Sequence, residues 1–415
     1  MASKALRVLY RLLVPGGIVL LSLALGVRVG LLNHVASSFW DYCPYFIFGS
    51  GLVLSAVFKC SRLFFAILIV GLCDRALVLL DPVLTTRGIQ RTVLDAIALL
   101  LPLNLLALSF MRDRGIISAR GRRRVAFLAA QITAVALVIL IQPAQVRAAT
   151  VMRGEIIPKS LSDWSHISQP ALLVFIAAGA LMLIYLIDRR RPVESGLFWA
   201  LVTGFLALSA GGSSRVSSIY FATGGLILGI AVLETSYTMA YRDELTQLPS
   251  RRALNQELAK MGNNYAVAMV DVDHFKQFND TYGHETGDQV LQMIAARLGE
   301  VSGGGKAFRY GGEEFAVVFP GKSIDDAYPS LEGVRKKIES TPFRVRGGSD
   351  RRGDARRKKK KEKRRPARRQ VQVTVSIGAA ACDGEKRPVD QVLSSADKAL
   401  YRAKNSGRNC TTVSV

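Results

Sequence analysis

Histidine, tryptophan and cysteine are scarce in this chain of 415 residues, with four, three and five of each. The cysteines, Cys43, Cys60, Cys73, Cys382 and Cys410, form no CxxC pair and are odd in number, which excludes a zinc ribbon and a disulfide framework. No GxxxxGK[ST] string occurs and no linked kinase set, so P-loop and kinase chemistry are excluded as well. Acid is in short supply, with 32 Asp and Glu against 55 Lys and Arg. Half of the residues are hydrophobic, too many for a chain disordered throughout. What is present is divided in order: residues 1–235 are apolar, and the remainder is largely polar.

A helix needs about 20 apolar residues to cross ~30 Å of hydrocarbon. Eight stretches qualify as candidate spans: 12–33, 42–58, 63–80, 92–111, 125–142, 171–188, 197–213 and 217–235. The first lacks a small-residue cleavage site after it and reads as a retained span. With the N-terminus inside, the cytoplasmic loops carry 14 Lys and Arg, six of them between Arg112 and Arg124, and the opposite side carries 6. That asymmetry sets the orientation, and eight crossings return the chain to the cytoplasm near residue 236. Arg28, Asp74 and Arg75 fall inside spans, where charge is costly; pairing within the bundle is the expected resolution. In the outer segment 143–170, Trp164 reads as an interfacial anchor and His166 as its neighbour.

Past a helical connector at 236–242 the pattern changes, and RDELTQLPSRRALNQEL (242–258) begins a helical pattern after Pro249. YAVAMVDVDHF (265–275) is a buried strand ending in Asp271 and Asp273, and acids at such a strand end suit metal and phosphate chemistry. Apolar residues at 290, 291, 294 and 298 mark one face of a helix over 284–301. KAFRYGGEEFAVVFP (306–320) reads as two strands folded about Gly311-Gly312, with Glu313 and Glu314 at the tip. Further helices are expected at 323–340 and 388–404, and strands near 343–346 and 371–380. Asp271 and Glu313 offer the oxygen ligands that Mg²⁺ prefers, alongside substrate phosphate and water. Lys276, Lys404 and Arg408 suit phosphate oxygens, and Asn279 and Asp288 suit the edge of a base such as guanine.

Five strings at matching order and spacing carry a resemblance: DELTQLPSRR (243–252), DVDHFKQFNDTYGHETGD (271–288), RYGGEEF (309–315), VTVSIGAA (373–380) and ADKALYRAKNSGRN (396–409). Along 243–415 the chain resembles the GGDEF family of diguanylate cyclases. The resemblance implies an α-helical polytopic membrane domain followed by an α/β domain similar to the adenylyl-cyclase palm. That domain would join two GTP into cyclic di-GMP, releasing two pyrophosphates, as a homodimer with one GTP on each protomer. It implies Mg²⁺, or Mn²⁺ in its place, held by Asp271, the Val272 carbonyl, Glu313 and Glu314, with either glutamate taking the proton. It places Asn279, Asp288, Phe275, His284, Lys404 and Arg408 at the substrate and makes Lys276 a candidate transition-state stabiliser. An inner-membrane, multi-pass signalling enzyme governing adhesion or biofilm follows by the same resemblance. The alternative is a degenerate domain that binds GTP or cyclic di-GMP without turnover; a transporter with a regulatory appendage is weaker, because no polar pathway is evident.

The chain departs from the family at three places. Gln247 and Ser250 stand where the first motif usually has glycine and asparagine. The RxxD of the inhibitory product site is replaced by Ser302 to Gly305, so tight feedback is not expected. A basic insertion at 347–370 interrupts a strand connection; residues 344–369 hold 15 basic and 3 acidic side chains. Such like charge repels and should lack a core. Anionic lipid is its favoured partner, and nucleic acid the lesser one.

Overall fold

The structure, a computed structural model, describes residues 14–29, 37–79, 87–113, 115–141, 151, 154, 156, 158, 165, 167–189, 191–210, 214–345, 369–384 and 387–414. Trp164, His166 and nearly all of the basic insertion lie outside these residues. The chain divides into two compact units, Met1–Tyr237 and Thr238–Val415.

The first unit has eight helices among its described residues: α1 (Gly16–Arg28), α2 (Ser37–Val57), α3 (Ser61–Leu79), α4 (Arg87–Phe110), α5 (Ala119–Leu140), α6 (Gln169–Arg189), α7 (Pro192–Ser209) and α8 (Ser214–Tyr241), the last running past the unit's boundary. Each coincides with one expected span. Five of them, α4 to α8, are long and apolar enough to cross a membrane. Among the described residues α1 has 13 residues and α3 carries Arg62, Asp74 and Arg75, so these two fall outside that length and composition. The core lies among α3, α4, α6, α7 and α8 and includes Leu63, Phe65, Leu101, Leu105, Phe175, Leu197 and Phe221. Close helix approach rests on small residues: a Cβ at Gly196 would come within 2.7 Å of Ala231 Cβ, and one at Gly204 within 2.6 Å of Leu101.

Asp74 and Arg75 do pair, at 2.5 Å, and Arg75 also donates to Ser218 Oγ and stacks over the Tyr45 ring. Arg28 stands apart at the exposed end of α1. A second buried pair escapes sequence reading. Arg62, which falls just before the expected span 63–80, is 8% exposed at its side chain and binds Glu194 at 3.1 Å. It also donates to the Leu108 and Ser109 carbonyls, which closes the C-terminal end of α4. The arginine meets three hydrogen bonds, whereas Glu194 Oε2 is buried without a partner, so the pair is satisfied on one side only.

The second unit is an α/β sandwich. Its elements are α9 (Arg251–Ala259), β1 (Asn264–Val272), α10 (Phe275–Tyr282), α11 (His284–Leu298), β2 (Lys306–Gly311), β3 (Glu314–Pro320), α12 (Ile324–Glu339), β4 (Phe343–Val345), β5 (Arg369–Val371), β6 (Val375–Asp383), α13 (Val389–Asn405) and β7 (Thr411–Val413). The sheet runs β2-β3-β1-β6-β7, antiparallel except for the β6–β7 pair. Side chains alternate across a strand, so β1 supplies both cores. Ala266, Ala268 and Val270 face α11 and α12, while Tyr265, Val267 and Met269 face α9 and α13. At Gly378 on β6, α13 lies so close that a Cβ would meet Ala396 O at 2.4 Å, which explains a glycine in the VTVSIGAA string.

Two elements were not expected, α10 and β7, and the expected strand at 371–380 is split into β5 and β6. β4 and β5 pair antiparallel with Val345 opposite Arg369. The chain therefore leaves for the basic insertion and returns from it at adjacent positions.

Candidate active site

The acids gather by register. Asp271 on β1 lies directly opposite Glu314 on β3 and Ser376 on β6, so two carboxylates share one end of the sheet. The expected β2–β3 hairpin is present, with a register shift between Arg309 and Gly311, and it delivers Glu313 beside Glu314. Because β1 pairs antiparallel with both neighbours, cross-strand register brings these groups together, and the strand-end rule for parallel sheets does not apply. Gly311 and Gly312 are absent from the positive-φ positions, so the turn does not need their conformational freedom. A Cβ at Gly312 would meet nothing within 4 Å, which leaves its backbone open to a ligand.

Lys404, from α13, closes the group with its Nζ 2.8 Å from Asp271 Oδ2. Asp271 is buried, and burial pushes its carboxyl up; Lys404 opposes that shift and the Asp273 charge adds to it. Burial likewise raises Glu313, as do the charges of Asp271 and Glu314, with Lys404 again opposing. A donor set of crowded carboxylates relieved by one ammonium fits a divalent cation, which would relieve the same repulsion. Two carboxylates and a strand-end carbonyl are what Mg²⁺ uses when phosphate and water complete its shell. Among the described residues no three His, Cys, Asp or Glu side chains stand at metal-holding distance, so Asp271, Glu313 and Glu314 are not drawn together into a three-carboxylate cage.

Asp273 performs a different task from Asp271. It accepts from Ser376 Oγ at 2.6 Å, Thr374 Oγ1 at 2.8 Å and the Asn409 backbone N–H at 3.0 Å. This holds the turn after α13, where Arg408 and Asn409 both have positive φ, against the end of β1. Asn409 is pinned from its other side by Arg335 and Glu339 of α12. Asp273→Ala should therefore cost about 2–4 kcal/mol in stability by orphaning buried donors, measured by urea unfolding of the C-terminal unit. An unchanged midpoint would show that the turn is held by Arg335 and Glu339 alone.

Asn279 and Asp288 sit on α10 and α11, on either side of the turn at Gly283. Asn279 Oδ1 is buried and has no hydrogen-bond partner. Such an orphan is costly, and a ligand donor would meet it. Gly287 makes room for it, since a Cβ there would stand 1.9 Å from Asn279 Oδ1. Gly287→Ala should displace that amide and weaken guanine-nucleotide binding about tenfold or more, by the loss of at least one hydrogen bond; fluorescent GTP titration reads it.

Lys276, His284, Asp288 and Arg408 are exposed and Lys404 half-buried, as befits groups that reach for a ligand. Phe275 is the exception among the expected substrate contacts. Its ring is 7% exposed and packs in the core with α11 and α12. Sequence reasoning also missed Arg309. Its guanidinium bonds Asp243 at 2.6 Å and the Gly312 carbonyl at 2.7 Å, tying the DELTQL turn to the acidic hairpin. Burial raises the Asp243 carboxyl, but Arg309 and Thr246 outweigh it and hold the group below its ordinary value. The arginine inside RYGGEEF was the available signal. Gln247, where the family has glycine, takes φ +61° in that same turn, so the backbone keeps the glycine conformation without the glycine.

The fold is a two-faced α/β sandwich with Asp271, Glu314 and Lys404 at one sheet end. Residues 240–353 and 349–410 match the family described as "Diguanylate cyclase, GGDEF domain". The C-terminal unit is a GGDEF domain. It is 35% identical over 185 residues to the response regulator PleD of Caulobacter vibrioides, covering 43% of this chain and 37% of that protein. It is 36% identical over 172 residues to the diguanylate cyclase VdcA of Vibrio cholerae, covering 40% of this chain and 45% of that one. The chain thus spans less than half the length of these curated relatives. A solved structure of the coiled coil and GGDEF domain of DgcB from Caulobacter crescentus, in complex with c-di-GMP, shares 33% identity over 44% of this chain and 89% of its own, with a TM-score of 0.36.

Proposed function

We propose that the chain is a membrane-bound diguanylate cyclase that condenses two GTP into cyclic di-GMP with release of two pyrophosphates. The observation that carries this reading is the convergence of Asp271, Glu313, Glu314 and Lys404 at one sheet end. A degenerate receptor would need the base pocket alone; here the acidic residues are all present. Asp271, the Val272 carbonyl, Glu313 and Glu314 would hold Mg²⁺ or Mn²⁺. When bound, the metal supplies a lowered pKa for the attacking hydroxyl and neutralisation of charge at phosphorus.

The chain's own groups do the remainder. Asn279 and Asp288 hold guanine through its N1–H and amino group, which sets the preference for GTP. Lys404, Arg408 and Lys276 hold triphosphate oxygens, and Lys404 leaves Asp271 as it does so. Either Glu313 or Glu314 takes the proton of the 3′-hydroxyl. Each 3′-oxygen attacks the α-phosphorus of the other nucleotide, the bond to the β-phosphate oxygen breaks, and pyrophosphate leaves. One protomer holds one GTP, so activity requires a homodimer. The apolar helices of the first unit anchor the enzyme in the inner membrane and set the apposition of the two domains. Adhesion and biofilm control through cyclic di-GMP effectors is the downstream role this reading assigns. Pyrophosphate release tests it: the full chain in detergent should free one pyrophosphate per GTP consumed and act poorly on ATP. Release of inorganic phosphate instead would contradict it.

Feedback should be weak. Ser302 and Gly305 occupy the RxxD positions, and the turn there is closed by a 3.1 Å bond from Ser302 Oγ to Ser330 Oγ. No guanidinium or carboxylate remains at those positions to bind a guanine base. Added cyclic di-GMP should inhibit only by competition with GTP; a sub-micromolar non-competitive constant would reveal a different product site.

A further inference from the structure

We propose that the first unit holds an anionic phospholipid in a cavity between α3, α4 and α5, with its headgroup on four arginines and an acyl chain in the apolar body. The cavity measures about 530 Å³, within the ~300–1,000 Å³ usual for ligand pockets. The inference rests on reading these helices as a membrane domain.

The cavity is graded along its length. Arg112, two residues past the end of α4, and Arg120, Arg123 and Arg124 in the first turns of α5 stand at the loop end. Further along the helices the lining includes Phe65 and Phe127, and Asn104 of α4 lies about two turns from Arg112. That asparagine is already satisfied, exchanging both hydrogen bonds with Gln131, so it offers no bond to a polar ligand. The body of the cavity is therefore suited to hydrocarbon and its mouth to an anion.

The charge at the mouth exceeds the acid beside it, four arginines against the one carboxylate of Asp113. Arg124 is fixed by bonds to Ser61 Oγ and the Arg112 carbonyl and lies over the Phe65 ring. Asp113 is the nearby acid; it accepts from Ser61 Oγ and the Arg62 backbone N–H and offsets at most one of the four guanidinium charges. Among the described residues, Arg112, Arg120 and Arg123 form no ion pair with an acid. Guanidinium groups match phosphate in geometry and resist deprotonation. Only Gly121 of α5 is buried, so this helix packs lightly and the opening beside it is not filled by protein. By the distribution of basic loops, the arginine end lies at the cytoplasmic leaflet, where anionic headgroups are found. The wide apolar body argues for a two-part ligand over a free phosphate.

Native mass spectrometry of the full chain, released from nanodiscs of equimolar phosphatidylglycerol and phosphatidylcholine, tests this. The wild type should retain phosphatidylglycerol in preference to phosphatidylcholine. Replacing Arg120→Gln and Arg123→Gln together should reduce that retention by about tenfold or more, the scale of a lost charge-assisted hydrogen bond. Ala107→Trp, at an exposed position lining the cavity, should fill the body and displace the lipid while leaving every arginine in place. Retention that survives Ala107→Trp but not the arginine changes would mean a surface patch, and the pocket would be wrong. Equal retention in all variants, or retention of a free fatty acid in its place, would also overturn it. A chain that stays in the aqueous phase without detergent would refute the membrane reading itself, a separate result.

Discussion

Asp271→Asn and Glu314→Ala should each reduce cyclic di-GMP formation by about 10³-fold or more, the scale of losing one preorganised electrostatic group at a phosphoryl-transfer centre. Their effect on folding should be small. Asp271→Asn keeps the shape of a buried side chain and frees Lys404, which is half-buried and can turn to solvent. Glu314 is partly exposed at the mouth of the hairpin, and its loss leaves the Gly311 pairing intact because that pairing is made by backbone. Thermal unfolding of both variants should stay close to wild type while product disappears from chromatography. Turnover near wild type in either variant would refute the assignment of the acidic cluster.

Deleting the basic insertion should produce the second large effect, on membrane association and not on chemistry. Val345 and Arg369 face each other in the β4–β5 ribbon, so residues 346–368 can be replaced by a two-residue Asn-Gly turn without moving either strand. A segment with 15 basic and 3 acidic residues across 344–369 can bring about 1 kcal/mol per basic group that reaches an anionic surface. Binding of the C-terminal unit to phosphatidylglycerol vesicles should fall by about 10²-fold or more on deletion. The intact insertion should also lose binding with salt, as charges are screened over about 8 Å at physiological ionic strength. The family match is split at this same place, so GTP turnover in detergent should be little changed. Equal vesicle binding with and without the segment would end the tether idea, and tight DNA binding at physiological salt would favour the nucleic-acid alternative.

The chemistry of the C-terminal unit was more legible in the sequence than its geometry. β1 alternates between two cores, so it appears as a solid apolar run ending in acids, and the GGEE turn announces its own hairpin. α10 was not legible because it is one short helix entered through His274 at φ +56° without a side-chain cap, which leaves no start signal. β7 is three residues long and borrows its pairing from β6. Distinguishing Asp271 from Asp273 required register: adjacent in kind and two apart in sequence, one meets Lys404 and the other a hydroxyl cage. The resemblance places Phe275 at the substrate, yet helix direction turns its ring into the core. In the first unit, hydropathy located every helix among the described residues but not its ends. The α5 arginines lie inside the helix and Arg62 is buried, because long-range partners such as Glu194, 132 residues away, leave no local trace.

The most direct test of the central claim is incubation of the purified full chain with [α-³²P]GTP and Mg²⁺, followed by chromatography of the products. The label should pass into cyclic di-GMP in wild type, with turnover per protomer rising with protein concentration as dimers form. Label that remains in GTP, while the same preparation binds the nucleotide, would contradict the account and identify a receptor in place of an enzyme.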